Sequence, residues 1–323
     1  MSCRVVAIAA LCLVLPGGSA GANCGSESSC PLEPPAIRGD ARFQFEVSQL
    51  YIDQDQPMVG ADDAAIGAIP GHHDEVRTVS RVTNVRGAVR TPQGWAFRAT
   101  LPYIHRTHEH IHHHMGEDHY ERWNDRGVGD LDVSVTREFR RDQGGRYQAT
   151  LGVNAPTGKQ RGAENEDGDP IEASARIGTG SWGLTASTGA EWRLRAPGRD
   201  GDTTMPLRLS LSGRANGRGV EEYRHGAEAQ AHVSTEYPVA GAVAALLQAN
   251  YRVRAKDDVG DADQEEASNT GGAALYVTPG LRVDALSGLS LYGLVQLPVW
   301  ERVNGIQVVA TMNVIVGLRR SIL

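Results

Sequence analysis

The chain ends in residues 287–323, SGLSLYGLVQLPVWERVNGIQVVATMNVIVGLRRSIL, and this stretch decides the fold class. Two apolar-rich segments meet at Asn304-Gly305, and Asn-Gly between alternating segments is the strongest short-range signal for a β-hairpin. In the first segment Leu289, Leu291 and the following odd-numbered residues are apolar or Gly, whereas the even-numbered residues are mixed. A period of two indicates a strand with two different faces. Because a strand is still running at Leu323, we expect a closed barrel whose last strand pairs with its first.

Ten more segments of comparable length precede this hairpin, and most of them alternate in the same way. They are residues 42–53, 76–90, 95–105, 128–139, 146–155, 181–195, 206–216, 223–237, 242–254 and 272–285. Apolar residues share one face of these segments, and charged residues repeatedly occupy the other. With the C-terminal pair, the sequence predicts twelve strands. Periodicity alone does not distinguish a membrane barrel from a soluble β-sandwich, because both have one polar and one apolar face.

The lengths of the connections favour the membrane barrel. Long connections at 54–75, 106–127, 156–180, 217–222, 255–271 and 301–305 alternate with short ones at 91–94, 140–145, 196–205, 238–241 and 286–288. Outer-membrane barrels have long extracellular loops and short periplasmic turns. The predicted fold is therefore all-β, a single transmembrane antiparallel β-barrel of twelve strands over residues 41–323.

The N-terminal region predicts export. Residues 1–22 have a basic start, an apolar core from Val5 to Leu15 and a small-residue site, which together are typical of a signal peptide cleaved after Ala22. Residues 23–40 are rich in Ser, Pro and Gly and predict a flexible periplasmic segment. Cys24 and Cys30 favour a small-loop disulfide in an oxidising compartment, with a lipid anchor on Cys24 or a metal site as alternatives. The net charge of -7 and the lack of a basic, aromatic patch argue against a nucleic-acid partner.

Four motifs, taken in order, resemble a known family. They are Gly127-Val-Gly-Asp130-Leu131 after Leu101-Pro-Tyr103, Asn154-Ala-Pro-Thr-Gly-Lys159, Gly178-Thr-Gly-Ser-Trp182, and Leu291 to Val299 before Asn304-Gly305. In this order, over roughly residues 40–323, the chain resembles the outer-membrane transporter family linked to the meta-pathway of phenol degradation. The resemblance implies a barrel that passes small, often hydrophobic molecules. One departure is the last residue, because such barrels usually end in an aromatic residue and this chain ends in Leu323.

A histidine-rich segment is the most unusual feature of the sequence. Seven of the eleven histidines lie in residues 105–119, which the predicted topology places in the second extracellular loop. These are His105, His108, His110, His112, His113, His114 and His119, and His72 and His73 of the first loop would lie at the same mouth. Neutral imidazole binds Zn²⁺, Cu²⁺ and Ni²⁺, so the segment predicts a transition-metal site. The alternatives are a solvated loop with incidental affinity and pH gating by imidazoles that titrate near pH 6.

Two acidic loops, at residues 164–169 and 257–266, predict sites for Ca²⁺ or for cations that bridge to lipopolysaccharide. Solvated, mutually repelling carboxylates are the simpler interpretation.

The face of the strands that carries the charged residues predicts a charged lumen. We expect Arg–carboxylate pairs there, because unpaired charges are unfavourable in a narrow barrel. The lumen candidates are Arg98, Asp130, Asp132, Arg193, Arg208, Arg214, Glu228, His232, Arg252 and Arg282. A barrel phospholipase is also similar at His232, Ser234 and Asn250. However, Thr235-Glu236 stand where that family has Asn-Gly, and the strand alternation predicts that His232 faces the lumen and not the lipid.

Taken together, the sequence predicts an outer-membrane channel for a small solute, either a hydrophobic compound or a metal ion, and not an enzyme. Metal capture without transport is the first alternative, and lipid hydrolysis is the second. No cofactor is required, and Zn, Cu or Ni is the candidate ligand of the histidine segment. The expected partners are outer-membrane lipid, lipopolysaccharide and the barrel-assembly machinery.

Overall fold

The computed structural model describes residues 41–322 except 68–73, 115–116, 141–144, 166–167, 169, 200, 202, 261–266 and 287. The predicted signal peptide, the Cys24–Cys30 pair, His72 and His73 lie outside the described residues, as do the side chains of His112, His113 and His114 and much of both acidic loops.

Strands make up nearly all of the regular structure. They are β1 (Phe43–Val59), β2 (Asp62–Asp63), β3 (Asp74–Arg90), β4 (Trp95–His114), β5 (Glu117–Val128), β6 (Leu131–Arg140), β7 (Arg146–Ala155), β8 (Gly183–Arg195), β9 (Thr204–Asn216), β10 (Glu228–Ala240), β11 (Val243–Arg254), β12 (Gly272–Leu286), β13 (Leu289–Val303) and β14 (Ile306–Ile322). Two single-turn 3₁₀ helices, Ala173–Ala175 and Val220–Glu222, lie in the long loops. Over the described part of the chain, no helix combines the length and apolar character needed to cross a membrane.

Antiparallel pairing closes the strands into a barrel. β14 pairs with β1 from Phe43 opposite Ile322 to Val59 opposite Ile306. β4 pairs with β5 in its second half and with β6 in its first half, so β5 and β6 act as one barrel strand interrupted at Gly129-Asp130. With the two-residue β2 set aside, the described residues form a closed twelve-stranded barrel, and the predicted fold class is confirmed.

Burial alternates along the strands as expected for a barrel with two faces. In β1 the even-numbered residues from Gln44 to Gln54 are buried, whereas Phe43, Phe45 and Val47 are exposed. Large apolar side chains such as Leu281 and Leu291 are also exposed, on β12 and β13. Apolar side chains that face outwards in this way are expected where lipid, not water, surrounds a barrel.

Three predicted boundaries were wrong. β1 extends to Val59, beyond the predicted end at Asp53, and β10 begins at Glu228 and not at Tyr223. The predicted loop at residues 106–127 is mostly strand, because β4 and β5 form a long hairpin. Backbone hydrogen bonds across this hairpin satisfy polar groups that a loop would expose to water.

Candidate functional site: the barrel interior

The barrel interior has a polar side that water reaches. We call the inward face of β6, β7, β8 and β9, together with Arg98 of β4, the polar wall. Its uncharged members are Ser134, Thr136, Gln148, Thr150, Thr185, Ser187, Ser210 and Ser212, all at least partly exposed. Hydroxyl groups also bond across it, with the Oγ1 atoms of Thr136 and Thr150 2.8 Å apart. The polar wall is therefore a hydrated surface inside the barrel.

Ion pairs cross this interior near the short-turn end. Arg208 donates from Nε to Glu191 at 2.9 Å and from Nη1 to Glu236 at 2.6 Å, and Arg282 also bonds Glu236. The result is a chain of four charges, contributed by β8, β9, β10 and β12. Two further inward pairs have little exposed surface, namely Arg252–Glu228 at 2.5 Å and Arg319–Glu46 at 2.5 Å.

An apolar strip covers the opposite side of the interior. It consists of Ile104, Val82, Leu50, Ile315, Leu294 and Leu246, which are all buried in one cluster. The first five lie directly opposite one another on β4, β3, β1, β14 and β13, and Gly280 of β12 links Leu294 to Leu246. Sequence reasoning placed charged residues on the inner face and did not predict this strip. The strip is therefore a band of buried apolar side chains between inward residues that are mostly polar.

A long loop folds into the interior and packs on this strip. We call residues 156–182 the inward loop. Its Ile177 is fully buried in the same cluster as the apolar strip. Arg106 of β4 holds the loop from the other side, donating to the carbonyl oxygens of Ala175 and Arg176 and to Ser80 Oγ. Because a buried carbonyl group needs a donor, Arg106 satisfies backbone that the loop brings into the barrel.

Three of the motifs that suggested the family resemblance meet at one point, which we call the Asp130 junction. The Asp130 carboxylate accepts hydrogen bonds from the Gly158 amide at 2.8 Å, the Thr179 amide at 2.9 Å and the Thr179 hydroxyl at 2.5 Å. Asp130 thereby joins the break between β5 and β6 to both ends of the inward loop. The predicted lumen role of Asp130 is not what the structure suggests, because this side chain is buried in a structural junction.

Glycine is needed at the Asp130 junction because backbone segments approach closely there. A Cβ on Gly178 would meet the Gly158 carbonyl carbon at 2.8 Å, and a Cβ on Gly158 would meet the Gly129 carbonyl carbon at the same distance. Both distances are shorter than the contacts that Cβ atoms make in real proteins, so alanine would not fit at either position without a shift of the backbone.

The histidines of the β4–β5 hairpin divide between its faces. His108 and His110 face the interior and are buried against Trp123, whereas His105 is exposed. Outward residues of β4 are apolar up to Tyr103 and polar from His105 to Glu109, so this part of the hairpin lies beyond the apolar outer band. Among the side chains that the structure describes, no three His, Cys, Asp or Glu residues form a group that would hold a metal ion.

His108 is held in its neutral form. Burial, and then the positive charge of Arg106, lower the pKa of His108 to about 4. Its Nδ1 lies 2.8 Å from Thr78 Oγ1, and its Nε2 lies 3.4 Å from His110 Nδ1. His108 therefore does not titrate near pH 6, which removes it from the predicted pH gate.

Asp257 ties two long loops together at the same end of the barrel. It accepts hydrogen bonds from the Tyr223 hydroxyl at 2.5 Å, the Gly226 amide at 2.7 Å and Arg254 at 2.6 Å. Burial raises the pKa of Asp257, but the charge of Arg254 and the hydrogen bonds of His225 and Tyr223 outweigh it and hold the pKa well below the usual value. This acidic residue is thus a structural ion-pair partner and not a free cation ligand.

The other lumen candidates fall into two groups. Arg98, Asp132, Arg193, Arg208 and Arg214 belong to the polar wall, and Arg282 is also partly exposed in the interior. Glu228, His232 and Arg252 face inwards but are buried. His232 bonds Asn250, and Ser234 on the same face is also buried, so neither side chain faces the outer, apolar surface.

Comparison with solved structures identifies the class of fold. An outer membrane channel from Pseudomonas putida F1 matches with a TM-score of 0.64 and 12% sequence identity, over 88% of this chain and 99% of that chain. The beta domain of the Bordetella autotransporter BrkA matches with a TM-score of 0.48 and 11% identity, over 87% and 100% of the two chains. No protein-family model and no curated protein matches the chain. The chain thus has the fold of an outer-membrane channel.

Proposed function

We propose that the chain is a channel of the bacterial outer membrane that passes a small solute along the polar wall. The observation that carries this proposal is the division of the interior into a hydrated polar wall and a dry apolar strip. A structural core alone would not require partly exposed side chains along several neighbouring strands inside the barrel. The inward loop narrows the path, because Ile177 packs on the apolar strip.

Conductance in planar lipid bilayers tests the proposal. Wild-type chain should give stepwise currents, and Ile177→Ser should give larger steps because a polar side chain does not pack in the apolar cluster. The control is Ile66→Ser, since Ile66 is exposed in the loop that follows β2. A folded barrel that gives no steps in either the wild-type or the Ile177→Ser form would contradict the proposal.

The solute and the membrane environment are part of the same proposal. The outward apolar side chains support contact with outer-membrane lipid, and the long-loop end would face lipopolysaccharide. The motifs of the Asp130 junction support the family linked to phenol degradation and hence a small organic solute. Assembly would require the barrel-assembly machinery. Recovery of the chain in the outer-membrane fraction of cells tests the location, and recovery only in the soluble periplasm would contradict it.

We do not propose an enzyme. His232 and Ser234 face the interior, where a membrane lipid substrate has no access to them, and His232 bonds Asn250. If the purified chain hydrolyses phospholipid and Ser234→Ala abolishes that hydrolysis, this assignment is wrong.

Transition-metal binding by the β4–β5 hairpin is a second candidate function, and one distance favours it. His108 Nε2 and His110 Nδ1 are 3.4 Å apart. Two nitrogen ligands of a tetrahedral Zn²⁺ ion, each about 2.0–2.1 Å from the metal, lie at nearly the same separation. Neutral imidazole is also the form that binds metal, which agrees with the low pKa of His108.

Calorimetric titration of the folded chain with Zn²⁺ tests this second function. The double variant His108→Gln, His110→Gln should bind at least about tenfold more weakly, equivalent to about 1.4 kcal/mol. Thr107→Val on the other face of β4 is the control. Unchanged affinity in the double variant would exclude this pair as the metal site, while the conductance experiment would be unaffected.

A further inference from the structure

We infer that the lumen selects anions and that Arg86, Arg98 and Arg214, grouped around Asp132, bind the anionic group of the solute. We call these four residues the arginine cluster. The inference rests on the proposed channel function and specifies the chemical class of its solute.

The arginine cluster is built by four strands that the sequence separates widely. Arg86 lies on β3, Arg98 on β4, Asp132 on β6 and Arg214 on β9. Arg98 lies opposite Ser134, the next inward residue of β6 after Asp132. Arg214 belongs to the same row of paired residues, which continues from Ser134 through β7 and β8 to β9. The charges of Arg86, Arg98 and Arg214 all act on the Asp132 carboxylate. One carboxylate therefore lies among three permanent positive charges.

Strand register explains how these side chains come together. Thr100 of β4 is directly opposite both Arg86 and Asp132, and Arg86 donates from Nε to Thr100 Oγ1 at 3.2 Å. On the other side of the cluster, Arg214 donates from Nε to Asn216 Oδ1 at 2.9 Å. These hydrogen bonds fix two of the three guanidinium groups, so the cluster is preorganised before an anion arrives.

A glycine between the strands leaves room for Arg214. Gly183 of β8 faces the interior between Asn154 and Asn216, and a Cβ at this position would meet Arg214 Nε at 3.3 Å. With no side chain on Gly183, the Arg214 guanidinium group has space beside β8 on the polar wall.

The remaining charges reinforce the positive sign of this surface. The charged members of the polar wall whose side chains are partly or fully exposed are Arg98, Arg146, Arg193, Arg195, Arg208, Arg214, Asp132 and Glu191. Six arginines against two acids leave an excess of four positive charges, although the whole chain carries -7. Arg86 and Arg319 share Glu46, with the Arg86 contact at 2.6 Å, so this neighbouring group is also net positive. The negative charge of the chain therefore lies largely outside the lumen.

Guanidinium groups bind carboxylate and phosphate through paired N–H donors, so either anion has the right chemistry for this cluster. The apolar strip on the opposite side of the interior would contact the non-polar part of such a solute. The predicted solute is accordingly a small organic anion with an apolar body, for which benzoate is a simple probe. A metal cation does not fit the lumen, whatever the outer loops bind.

The reversal potential across a bilayer with a KCl gradient measures the selectivity. Wild-type chain should favour Cl⁻ over K⁺. The double variant Arg98→Gln, Arg214→Gln should lower the Cl⁻/K⁺ permeability ratio by about fivefold, the factor that corresponds to one unit-charge contact of about 1 kcal/mol in water. Asp132→Asn should raise the ratio. Arg302→Gln, which removes an exposed charge at the end of β13, is the matched control and should leave the ratio unchanged.

Uptake into liposomes provides a second measurement with organic ions of similar size. Benzoate should enter liposomes that contain the wild-type chain faster than benzylammonium does, and the double variant should lose this preference. A conducting channel that favours K⁺ and benzylammonium would overturn the anion inference but leave the channel function intact. A conducting double variant with wild-type selectivity would also overturn the anion inference, because the arginine cluster would then not determine whether anions or cations are preferred. Absence of conductance would contradict both proposals.

Discussion

Asp257 is the residue whose ionisation should control the order of the loops at the long-loop end. Its carboxylate binds Arg254, Tyr223 and the Gly226 amide, and its side chain has no exposed surface. Asp257→Asn removes the charge but keeps the shape, so it leaves Arg254 without its charged partner. Breaking a buried pair in this way costs roughly 3 kcal/mol. Amide hydrogen exchange should then show faster opening of residues 223–227 and 255–260 in the variant at pH 7.

The same residue predicts a pH dependence with a definite sign. The pKa of Asp257 is lower in the folded chain than the usual value of about 3.9, so its contribution to stability is complete above pH 5. The contribution falls as the pH drops below the unfolded value and towards the folded one. The protection of these loop amides, measured relative to their intrinsic exchange rates at each pH, should therefore fall below about pH 4 in the wild type but not in Asp257→Asn. If both proteins showed the same acid profile, another group would hold the loops.

Asp130 should have a comparable effect on the inward loop. It accepts three hydrogen bonds from Gly158 and Thr179, and hydrogen bonds to a charged group contribute roughly 1.5–3 kcal/mol each. In Asp130→Ala the loop should leave the interior more often, and single-channel currents should become larger and noisier. Asp63→Ala, in the exposed strand β2, is the control. Quiet currents of wild-type size from a folded Asp130→Ala barrel would show that the inward loop is held elsewhere.

At the level of the element, the inward loop depends on close contacts between backbone segments. Gly178→Ala would place a Cβ 2.8 Å from the Gly158 carbonyl carbon and 2.9 Å from the Lys159 carbonyl oxygen, and backbone cannot yield there as a flexible side chain would. We expect a loss of roughly 1–3 kcal/mol, the usual cost of overpacking, seen as a lower temperature for the heat-induced shift on gels. Gly87→Ala is the matched control, because a Cβ on Gly87 would meet nothing within 4 Å. Equal melting of the two variants would show that the loop adjusts freely.

The elements also show where sequence reasoning succeeds and where it stops. Period-two alternation located most of the twelve barrel strands, because one face must be apolar wherever lipid surrounds a barrel. The β4–β5 hairpin was missed because its polar residues suggested a loop. Burial alternates between Arg106, His108 and His110 on one face and Thr107 and Glu109 on the other, but all five residues are polar, so hydropathy has no period of two there. The inward position of Ile177 had no local signal. It depends on Arg106 and on the Asp130 junction, which are distant in sequence.

Across the whole molecule, charged and apolar side chains are also segregated within the inner face, which the strand period does not predict. Sequence parity identifies the residues that face inwards, but it does not tell which inward residues meet one another across the barrel. Leu50 and Ile315 are opposite each other because β1 pairs with β14 at the closing seam, whereas Arg98 lies beside Asp132 because β4 pairs with β6. The apolar strip and the arginine cluster each combine residues of several strands, which is why neither was predicted from single strands.

Closure itself can be tested at the seam between β1 and β14. Val47 is directly opposite Leu318, whereas Val316 is two pairs further along, opposite Gln49. Directly opposite residues of antiparallel strands have Cα atoms about 4.5–5.5 Å apart, within disulfide range, whereas the diagonal neighbour is about 7–8 Å away. In a chain in which Cys24 and Cys30 are replaced by Ser, the variant Val47→Cys, Leu318→Cys should form a disulfide on oxidation, and Val47→Cys, Val316→Cys should not.

The cross-link joins residues that are far apart in the chain, so its effect should be large. Closing a loop of more than 100 residues removes enough entropy from the unfolded chain to stabilise the fold by roughly 4–5 kcal/mol. The oxidised Val47→Cys, Leu318→Cys barrel should resist heating in detergent at temperatures that unfold the wild type, and reduction should abolish this difference. Preferential cross-linking of the Val316 pair would mean that the two strands meet in another register. That result would move every inward residue of β14 relative to β1, and it would separate Leu50 from Ile315 in the apolar strip.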